Sequence, residues 1–452
     1  MARITLAQAA QGCGGTIAPQ YADVTFLGAN NDSRKVQPGQ LFVALQGARD
    51  GHDFIPAALE NGAAVLCTHC DGDYPAIVVK DTRLALGQIA REERKRLGIK
   101  VVGVTGSVGK STTKEMIAAV LETTYRVAKT PANHNNDIGM PMAILSIPED
   151  TEVAVLEMGM NHFREIAYLT AIGLPNLAVI INIGTMHIEH LGSKEGILQA
   201  KLEILEGLQA DGEILLNGDD EMLWSVHNRP KIPSIYFGVE NTECSILGSG
   251  VQMNEDGLSF HVSAGQDAFS VCLALEGQHY IPDALAAVSV GLKMGVTPER
   301  ITDALGQFRN MSGRQEIFEA DGYTVIKDCY NAGPESMAAA LAVLGRKPGR
   351  RIAVLGDMLE LGMRAAAEHY RIGRIAAEQA DMIFAYGPNG SRVVSGAITG
   401  GMDSSKARAY DNQQELAEDL KRLAMPGDVL LFKGSHGMHM ELALELFLQA
   451  QA

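Results

Sequence analysis

A glycine-rich turn between a strand-like run and a helix-like run constrains this chain more than any other stretch: VVGVTGSVGKSTTKE, residues 101–115. Residues 101–105 are mostly β-branched, as in a buried strand. The apolar spacing after the turn is helical, with one face formed by Met116, Ile117, Val120 and Leu121. A turn at the start of a helix points backbone N–H groups at an anion, and the helix dipole favours negative charge there. The stretch therefore predicts a phosphate-binding loop.

This loop is shorter than the usual phosphate-binding loop, in which four residues separate the first glycine from Gly-Lys-Ser/Thr. Lys110 is expected to reach the terminal phosphates of a nucleotide, and the Ser111 hydroxyl to ligate magnesium. A glycine turn with a chance Lys-Ser pair is the alternative, and the flanking strand and helix make it the weaker one. The predicted nucleotide-binding residues here are Thr105, Gly106, Ser107, Val108, Gly109, Lys110, Ser111 and Thr112.

Two further strand-like runs end near side chains that could serve a metal beside the loop. Residues 153–156 are apolar and lead into Glu157, and the run 177–183 leads towards His187. The carboxyl ends of parallel strands are where such folds bind ligands, and magnesium prefers oxygen ligands. An ordinary strand-end acid and a surface histidine are the alternatives, and each would be preferred if the loop were absent. Next to the loop, a metal role for Glu157 is the better interpretation.

Lys201 lies on the apolar face of a helix predicted at 195–208. Its neighbours three and four residues away are Ile197, Leu198, Ile204 and Leu205. Two interpretations remain open. The side chain reaches the surface, which is the commoner outcome, or the amine is held buried for a purpose, which would lower its pKa.

Strand-like and helix-like runs alternate along the chain, which indicates an α/β fold with parallel sheets. At 452 residues the chain exceeds one typical core, so several domains are expected. A helix-like stretch at 81–98 leads into the loop, and a break falls near 310–318. We predict a small α/β N-terminal domain at 1–82, a central parallel-sheet ATPase-like domain at 83–312 and a C-terminal Rossmann-like domain at 313–452.

Charge and hydropathy exclude several classes of function. The 38 basic and 54 acidic residues give a net charge of -16, so no broad basic surface for nucleic acid is expected. The first residues lack the pattern of a signal peptide, and the longest apolar runs have the length of strands, so no membrane span is expected. A cytoplasmic enzyme is therefore predicted. The sequence shows no exposed apolar helix of the kind that would indicate obligate assembly. A monomer is therefore favoured.

Several motifs together resemble those of the Mur ligases, ATP-dependent enzymes that form amide bonds in peptidoglycan precursors. The short loop matches their TGxxGK[ST] pattern, and the likeness extends almost from end to end. The other matching stretches are DSRKVQPGQLFVAL, DGHDF, NHNNDIGMP, LEMGMNH, HIEHLGS, AKLEI, SGRQEI, DCYNAGPESM, VLGDMLELG and KGSHGM. The resemblance implies ATP and Mg²⁺ as cofactors, and UDP-N-acetylmuramoyl-tripeptide and D-Ala-D-Ala as the substrates that are joined.

The resemblance also implies roles for particular residues. Glu157 and His187 would serve magnesium, and Lys201 would carry a CO2-derived carbamate. The residues matching motifs for the UDP end of the substrate are Ser33, Arg34, Asp50, Gly51 and His52. Those near the nucleotide are Asn133, Asn135, Asn136, His279, Arg314, Asp328, Tyr330 and Asn331. The residues predicted to be catalytic are Asn331, Lys110, His187 and Lys201. Lys433 and Ser435 would face the cleft from the last strand.

Three positions depart from the family pattern. The adenine-side motif usually has asparagines where this chain has Tyr280 and Asp283, and Gly333 stands where asparagine is commoner. The first two changes put the usual adenine contacts in doubt, although His279 and the apolar helix remain.

Three other functions are compatible with parts of the sequence. A sister Mur ligase that adds one amino acid would share the loop, but DCYNAGPESM argues against it. A folylpolyglutamate-synthase-like ligase would lack the N-terminal motifs. A regulatory or scaffold protein that binds ATP without ligation would not need Glu157, His187 and Lys201.

Overall fold

The computed structural model describes residues 4–229, 234–254 and 257–449. In these ranges the chain forms three α/β units in sequence order, each with its own main sheet. The predicted α/β class is therefore confirmed. None of the helices in these ranges has the length and apolar composition that crossing a membrane requires.

The N-terminal unit is a small sheet of short strands covered by helices. Its elements are β1 Ile4–Thr5, α1 Leu6–Cys13, β2 Thr16–Ile17, β3 Thr25–Phe26, β4 Ala29–Asn30, β5 Leu41–Val43, α2 Ile55–Glu60, β6 Ala64–Cys67 and β7 Ala76–Val78. The sheet has the order β2-β7-β6-β5-β4 and is parallel from β4 to β7. A 3-10 turn at Gly51–Phe54 follows β5.

The central unit contains the glycine loop. Its elements are α3 Thr82–Leu97, β8 Lys100–Thr105, α4 Lys110–Glu122, β9 Val127–Lys129, α5 Gly139–Leu145, β10 Val153–Glu157, α6 Glu165–Gly173, β11 Leu177–Ile180, α7 Ile188–Leu191, α8 Lys194–Leu202, β12 Glu213–Asn217, α9 Glu221–Trp224, β13 Ser234–Gly238, β14 Ile246–Asn254, β15 Gly257–Ala264, β16 Asp267–Leu273, α10 Tyr280–Lys293 and α11 Pro298–Gln307.

The central sheet has the order β16-β15-β14-β13-β12-β11-β8-β10-β9, so the loop strand β8 lies between β10 and β11. Alternate apolar residues of β8 face opposite sides. Val101 packs with the side of the sheet that carries α3 and α6, and Val102 with the side that carries α4 and α10. Burial on both faces explains why these strands read as apolar runs. Strands β15 and β16 form an antiparallel hairpin at one end of this sheet, and β14 pairs antiparallel with β15.

The C-terminal unit is again a mainly parallel sheet between helices. Its elements are β17 Glu316–Ala320, β18 Tyr323–Asp328, α12 Pro334–Leu344, β19 Arg351–Gly356, α13 Ala365–Gln379, β20 Met382–Tyr386, α14 Gly390–Thr399, β21 Ala407–Tyr410, α15 Gln413–Leu423, β22 Val429–Lys433 and α16 Met440–Leu448. Strands follow the order β17-β18-β22-β19-β20-β21, with only β17 antiparallel to its neighbour.

One sequence prediction differs from the structure in detail. The helix expected at 195–208 ends at Leu202 and continues as a 3-10 turn over Glu203–Gly207. The boundary expected at 82/83 falls in the first turn of α3, whose apolar side chains share one core with both the N-terminal and the central unit. The domain boundaries stay a prediction.

Candidate active site

The phosphate loop opens at the carboxyl edge of the central sheet. In the strand register, Glu157 of β10 lies opposite Val104, and Ile180 of β11 lies opposite Thr105. Parallel register therefore brings the segments that follow three strands to one edge, as the sequence predicts for such a sheet.

Asn182, which follows β11, holds the loop in shape. Its Oδ1 accepts hydrogen bonds from the backbone N–H groups of Ser107 (3.0 Å) and Val108 (3.0 Å), and its amide donates to Val108 O (3.0 Å). Gly109 has φ +83°, and a Cβ there would lie 2.5 Å from Asp283 Oδ1, so glycine is required. The anion-binding N–H groups are then those of the first turn of α4, which have no intrahelical acceptor.

Lys110 is folded over its own loop. Its ammonium donates to Gly106 O (2.9 Å) and Ser107 O (3.2 Å). Burial lowers the pKa of Lys110; the charge of Glu157 opposes this shift and that of Arg314 adds to it. The side chain is thus within reach of anything bound at the start of α4.

Ser111 and Arg314 meet across the boundary between the central and C-terminal units. The guanidinium of Arg314 donates to Ser111 Oγ (2.8 Å) and lies 3.8 Å above the ring of Tyr330. The structure therefore brings together three residues that the sequence assigned to the nucleotide or its metal.

Glu157 offers a free oxygen to a cation. Its carboxylate is 1% exposed, and Oε1 accepts from Asn135 Nδ2 at 2.8 Å. Its Oε2 is buried without a hydrogen-bond partner, and the nearest cationic nitrogen, Lys114 Nζ, is 3.9 Å away. An unpartnered carboxylate oxygen at this edge fits a magnesium ligand.

His187 adopts a left-handed backbone conformation, φ +62°, just before α7. Its Nδ1 lies 2.5 Å from Glu360 Oε2 of the C-terminal unit, and this contact lowers the pKa of Glu360. The same loop makes a second contact with the C-terminal unit. Thr185 donates hydrogen bonds to Glu335 through its backbone N–H and its hydroxyl, both at 3.0 Å. Neither contact was predicted from the sequence.

Lys201 is buried, which excludes the first of the two open interpretations, in which its side chain reaches the surface. It is 2% exposed, and neither a hydrogen bond nor an ion pair engages its amine within the described part of the chain. Burial first, and then the positive charge of Lys110, lower the pKa of Lys201 well below its usual value. In the described ranges no three His, Cys, Asp or Glu side chains group as a metal site.

The predicted residues of the C-terminal unit are already paired with one another. Lys433 Nζ donates to Asp328 Oδ2 (2.6 Å) and Asn331 O (3.0 Å). Ser435 is buried, and its hydroxyl donates to Ala332 O (3.1 Å) and accepts from Leu359 N (2.9 Å). The Ser435 hydroxyl therefore joins two segments of its own unit, and it could donate to a substrate only by giving up Ala332 O.

A cavity of about 760 Å³ lies between the central and C-terminal units. The predicted residues on its wall are Ser107, Val108, Gly109, Lys110, Ser111, Thr112, Asn136, Glu157, His187, His279, Arg314, Asp328, Tyr330, Asn331 and Lys433. Burial lowers the pKa of His279 to about 4, so its ring is neutral there. Asn133 is exposed and does not line this cavity, whereas Asn135, two residues later, does.

Comparison with known proteins gives one consistent result. Three family models match in series: the Mur ligase family catalytic domain at 23–104, the Mur ligase middle domain at 104–291, and the Mur ligase, glutamate ligase domain at 313–436. The UDP-N-acetylmuramoyl-tripeptide--D-alanyl-D-alanine ligase of Bacillus subtilis is 38% identical over 98% of this chain and 97% of its own.

This chain belongs to the Mur ligase family. Solved structures agree over the full length. MurF from Acinetobacter baumannii superposes with a TM-score of 0.91 at 32% identity, covering all of both chains. The MurF ligase of Thermotoga maritima in complex with ADP gives 0.82 at 30% identity, over 93% of this chain and 97% of that one.

The N-terminal residues of this Mur ligase lie outside the cavity. Arg34 is exposed (side chain 85%) and is bonded to Asp32, whose pKa this contact lowers to about 2. Asp50 and Gly51 begin the 3-10 turn, in which His52 Nδ1 lies 2.6 Å from Asp50 Oδ1 and His52 Nε2 accepts from Thr68 N. Ser33 is buried beneath Asn61, which donates to Ser33 O.

Packing accounts for one departure of this Mur ligase from the family pattern. A Cβ on Gly333 would lie 2.3 Å from Met186 Sδ, so the bulkier asparagine would have to displace Met186. Tyr280 is also accommodated, because its hydroxyl accepts from Asn310 Nδ2 at 2.6 Å.

Proposed function

We infer that this Mur ligase joins D-Ala-D-Ala to UDP-N-acetylmuramoyl-tripeptide at the expense of ATP, in the synthesis of peptidoglycan precursors. The observation that carries this conclusion is the full-length 38% identity to the Bacillus subtilis ligase of that name. The cleft supports it, because phosphate loop, unpartnered carboxylate and C-terminal residues line one cavity.

The chemistry requires an activated acid, since a carboxylate is a poor electrophile. A carboxylate oxygen of the tripeptide attacks the γ-phosphorus of ATP, which gives an acyl phosphate and ADP. The free amine of D-Ala-D-Ala then attacks the acyl carbon, loses a proton, and phosphate leaves from the tetrahedral intermediate. Charge accumulates on the transferring phosphoryl group, so the protein acts mostly by positioning and electrostatic stabilisation.

Lys110 is the residue we assign to the terminal phosphates, because its ammonium lies over the loop at the start of α4. Arg314, stacked on Tyr330, brings a second cation from the C-terminal unit. Asn331 and Asp328 lie on the opposite wall with Lys433. Closure of this wall over the cavity would exclude water, which otherwise hydrolyses the acyl phosphate. We assign binding of the UDP end of the substrate to the N-terminal unit, through Arg34 and the other predicted residues of that unit.

Magnesium is the metal that these side chains fit. Glu157 Oε2 would be one ligand, the Ser111 hydroxyl another, and His187 would lie beside them. When bound, magnesium neutralises charge on the phosphates. The chain's own part is to hold Glu157 in place through Asn135 and to hold Ser111 on the first turn of α4.

Lys201 is proposed to carry a carbamate. Its nitrogen bonds to the carbon of CO2 and one proton leaves, so that the amine becomes an anionic oxygen donor. The reaction needs a neutral amine, and burial favours that form because it lowers the pKa of Lys201. A buried ammonium with no partner would instead repel a divalent cation.

Lys201→Ala should lose nearly all activity, and acetate or formate should restore part of it by filling the space left by the carbamate. A second measurement does not depend on activity: protein incubated with 13C-labelled bicarbonate should show one carbamate carbon resonance that the variant lacks. Wild-type turnover that is unaffected by rigorous removal of bicarbonate, together with no labelled resonance, would exclude the modification.

One assay tests the function as a whole. ADP release should require both UDP-N-acetylmuramoyl-tripeptide and D-Ala-D-Ala, and the product should gain the mass of the dipeptide. Equal ADP release with a single amino acid would indicate a sister ligase, and none with any acceptor would indicate an ATP-binding protein. We further propose that the enzyme acts as a monomer in the cytoplasm, since one chain supplies every wall of the cavity and ATP is available there.

A further inference from the structure

Asp283 is a buried acid without a cationic partner. It lies on the first turn of α10, is 3% exposed, and accepts one hydrogen bond, from Thr113 Oγ1 to Oδ1 at 2.8 Å. No ion pair to Asp283 occurs in the described part of the chain. The charged group that acts on Asp283 is Arg314, at the boundary between the central and C-terminal units. Its guanidinium is already engaged by Ser111 and Tyr330.

The position of Asp283 places it on the nucleoside side of the loop. It touches Gly109 and Thr113 and lines the cavity beside His279. Helix α10 packs against α4, β12 and β13, whereas Glu157 lies on β10, across β8 from those strands. If a nucleotide binds with its phosphates on the loop and its last phosphate near Glu157, its nucleoside lies on the side of the loop that faces α10.

An acid at this position presents a chemical problem. An asparagine amide can pair with adenine through two hydrogen bonds, accepting from N6–H and donating to N7. An ionised carboxylate has no donor, and its charge opposes the lone pair of N7. A protonated carboxyl group has both an acceptor and a donor, because Oδ1 accepts a hydrogen bond and the hydroxyl on Oδ2 donates one.

We propose that Asp283 keeps its proton in the working enzyme and recognises adenine as a neutral acid, in place of the asparagine amide. Oδ1, already bonded to Thr113, accepts from the 6-amino group through its second lone pair, and the Oδ2 hydroxyl donates to N7. The inference rests on the proposed function only in taking an adenine nucleotide as the ligand.

The surroundings of Asp283 favour the neutral form. Burial raises the pKa of Asp283 to about 8, against the opposing effects of the Thr113 hydrogen bond and the charge of Arg314. On α10 itself the neighbouring titratable group is Tyr280, and on α4 it is Lys110, whose ammonium points to the loop carbonyls. A carboxyl group with a pKa of about 8 is roughly nine-tenths protonated at pH 7 and about one-tenth protonated at pH 9.

The test measures binding of ADP and of 7-deaza-ADP, which lacks the N7 acceptor, to the full-length protein at pH 7 and pH 9. EDTA is present, so no metal takes part. Affinity for ADP should fall about tenfold between the two pH values, because binding requires the proton. At pH 7 the protein should prefer ADP to 7-deaza-ADP by about three- to tenfold, the value of one hydrogen bond. That preference should shrink at pH 9.

Asp283→Asn should bind ADP as tightly at pH 9 as at pH 7 and keep its preference over 7-deaza-ADP at both. Asp220→Asn is the matched control, because Asp220 is another acid of raised pKa on the cavity wall, and it should retain the wild-type pH dependence. A pH effect that arises from Lys110 would persist in Asp283→Asn and would act equally on both nucleotides.

Two results would overturn the inference: no discrimination between ADP and 7-deaza-ADP by the wild type at pH 7, or an unchanged pH dependence in Asp283→Asn. The first needs no variant, so a folding defect cannot obscure it. Either result leaves the ligase assignment intact as long as ADP binds, whereas absence of any ADP binding would count against the proposed function itself.

Discussion

Replacing Lys114 by methionine should destabilise the central unit more than any other lysine substitution on α4 or β9. Lys114 is fully buried, at 0% exposure. Its ammonium donates to Thr130 O (2.7 Å) and lies 3.0 Å from Glu115 Oε1 and 3.9 Å from Glu157 Oε2. Methionine fills most of the space but supplies no charge and no donor.

The magnitude follows from what the change leaves behind. Glu115 keeps a second cation, Lys129, at 2.6 Å, but Glu157 keeps only the amide of Asn135. Breaking a buried ion pair by removing one partner typically costs about 3–5 kcal/mol. For a unit of this size that corresponds to a fall in melting temperature of roughly 6–20 °C. Lys129→Met removes a cation from the same Glu115, but its side chain is 36% exposed, so about 1 kcal/mol or less is expected.

This difference can be measured by thermal unfolding with tryptophan fluorescence as the signal, which reports on the central unit. The chain has a single tryptophan, Trp224, in α9 of the central unit, so the signal does not average over the other two units. Equal melting temperatures for Lys114→Met and Lys129→Met would refute the reasoning. They would mean that Glu157 takes up a proton or reaches water without Lys114, at little cost in stability.

Two further predictions concern ligand contacts. Lys110→Ala should abolish ligation and leave circular dichroism unchanged, because within the described ranges the ammonium donates hydrogen bonds only to carbonyls of its own loop. Wild-type turnover in this variant would contradict the loop assignment. Arg34→Ala should raise the KM for the UDP substrate far more than that for ATP, since the side chain is exposed on the N-terminal unit and bonded to Asp32; a change confined to the ATP constant in steady-state kinetics would mean that the domain roles are misassigned.

Much of the central site could be predicted from the sequence because parallel strands share one edge. Glu157 lies 47 residues after Lys110 along the chain, but Glu157 and the loop each follow an apolar run, and strand register then brings the ends together. The apolar neighbours of Lys201 on one helix made its burial one of two open interpretations, and the structure selects burial. In both cases the information lies in the pattern of apolar residues within one strand or one helix.

Contacts between units could not be predicted in this way. Thr185 meets Glu335, His187 meets Glu360, and Ser111 meets Arg314 across more than 140 residues of sequence. No periodicity in either segment encodes its partner, because the pairing depends on how two folded units dock. The resemblance to Mur ligases assigned Lys433 and Ser435 to the cleft, but it gave no indication that Asp328, Asn331, Ala332 and Leu359 already engage them.

These existing partners decide which side chains gain most when ligands bind. Lys110 would exchange loop carbonyls for phosphate oxygens, and Arg314 would exchange Ser111 for another acceptor, so each gains only the difference between two hydrogen bonds. Glu157 Oε2 has no hydrogen bond to give up, and a buried acceptor without a partner is unfavourable until a cation reaches it. Lys201 is also buried and has no partner in the described part of the chain, and the proposed carbamate would turn it into an acceptor for the same cation. The groups that the fold leaves unsatisfied are therefore the ones expected to make metal binding favourable, and the paired groups to set geometry and specificity.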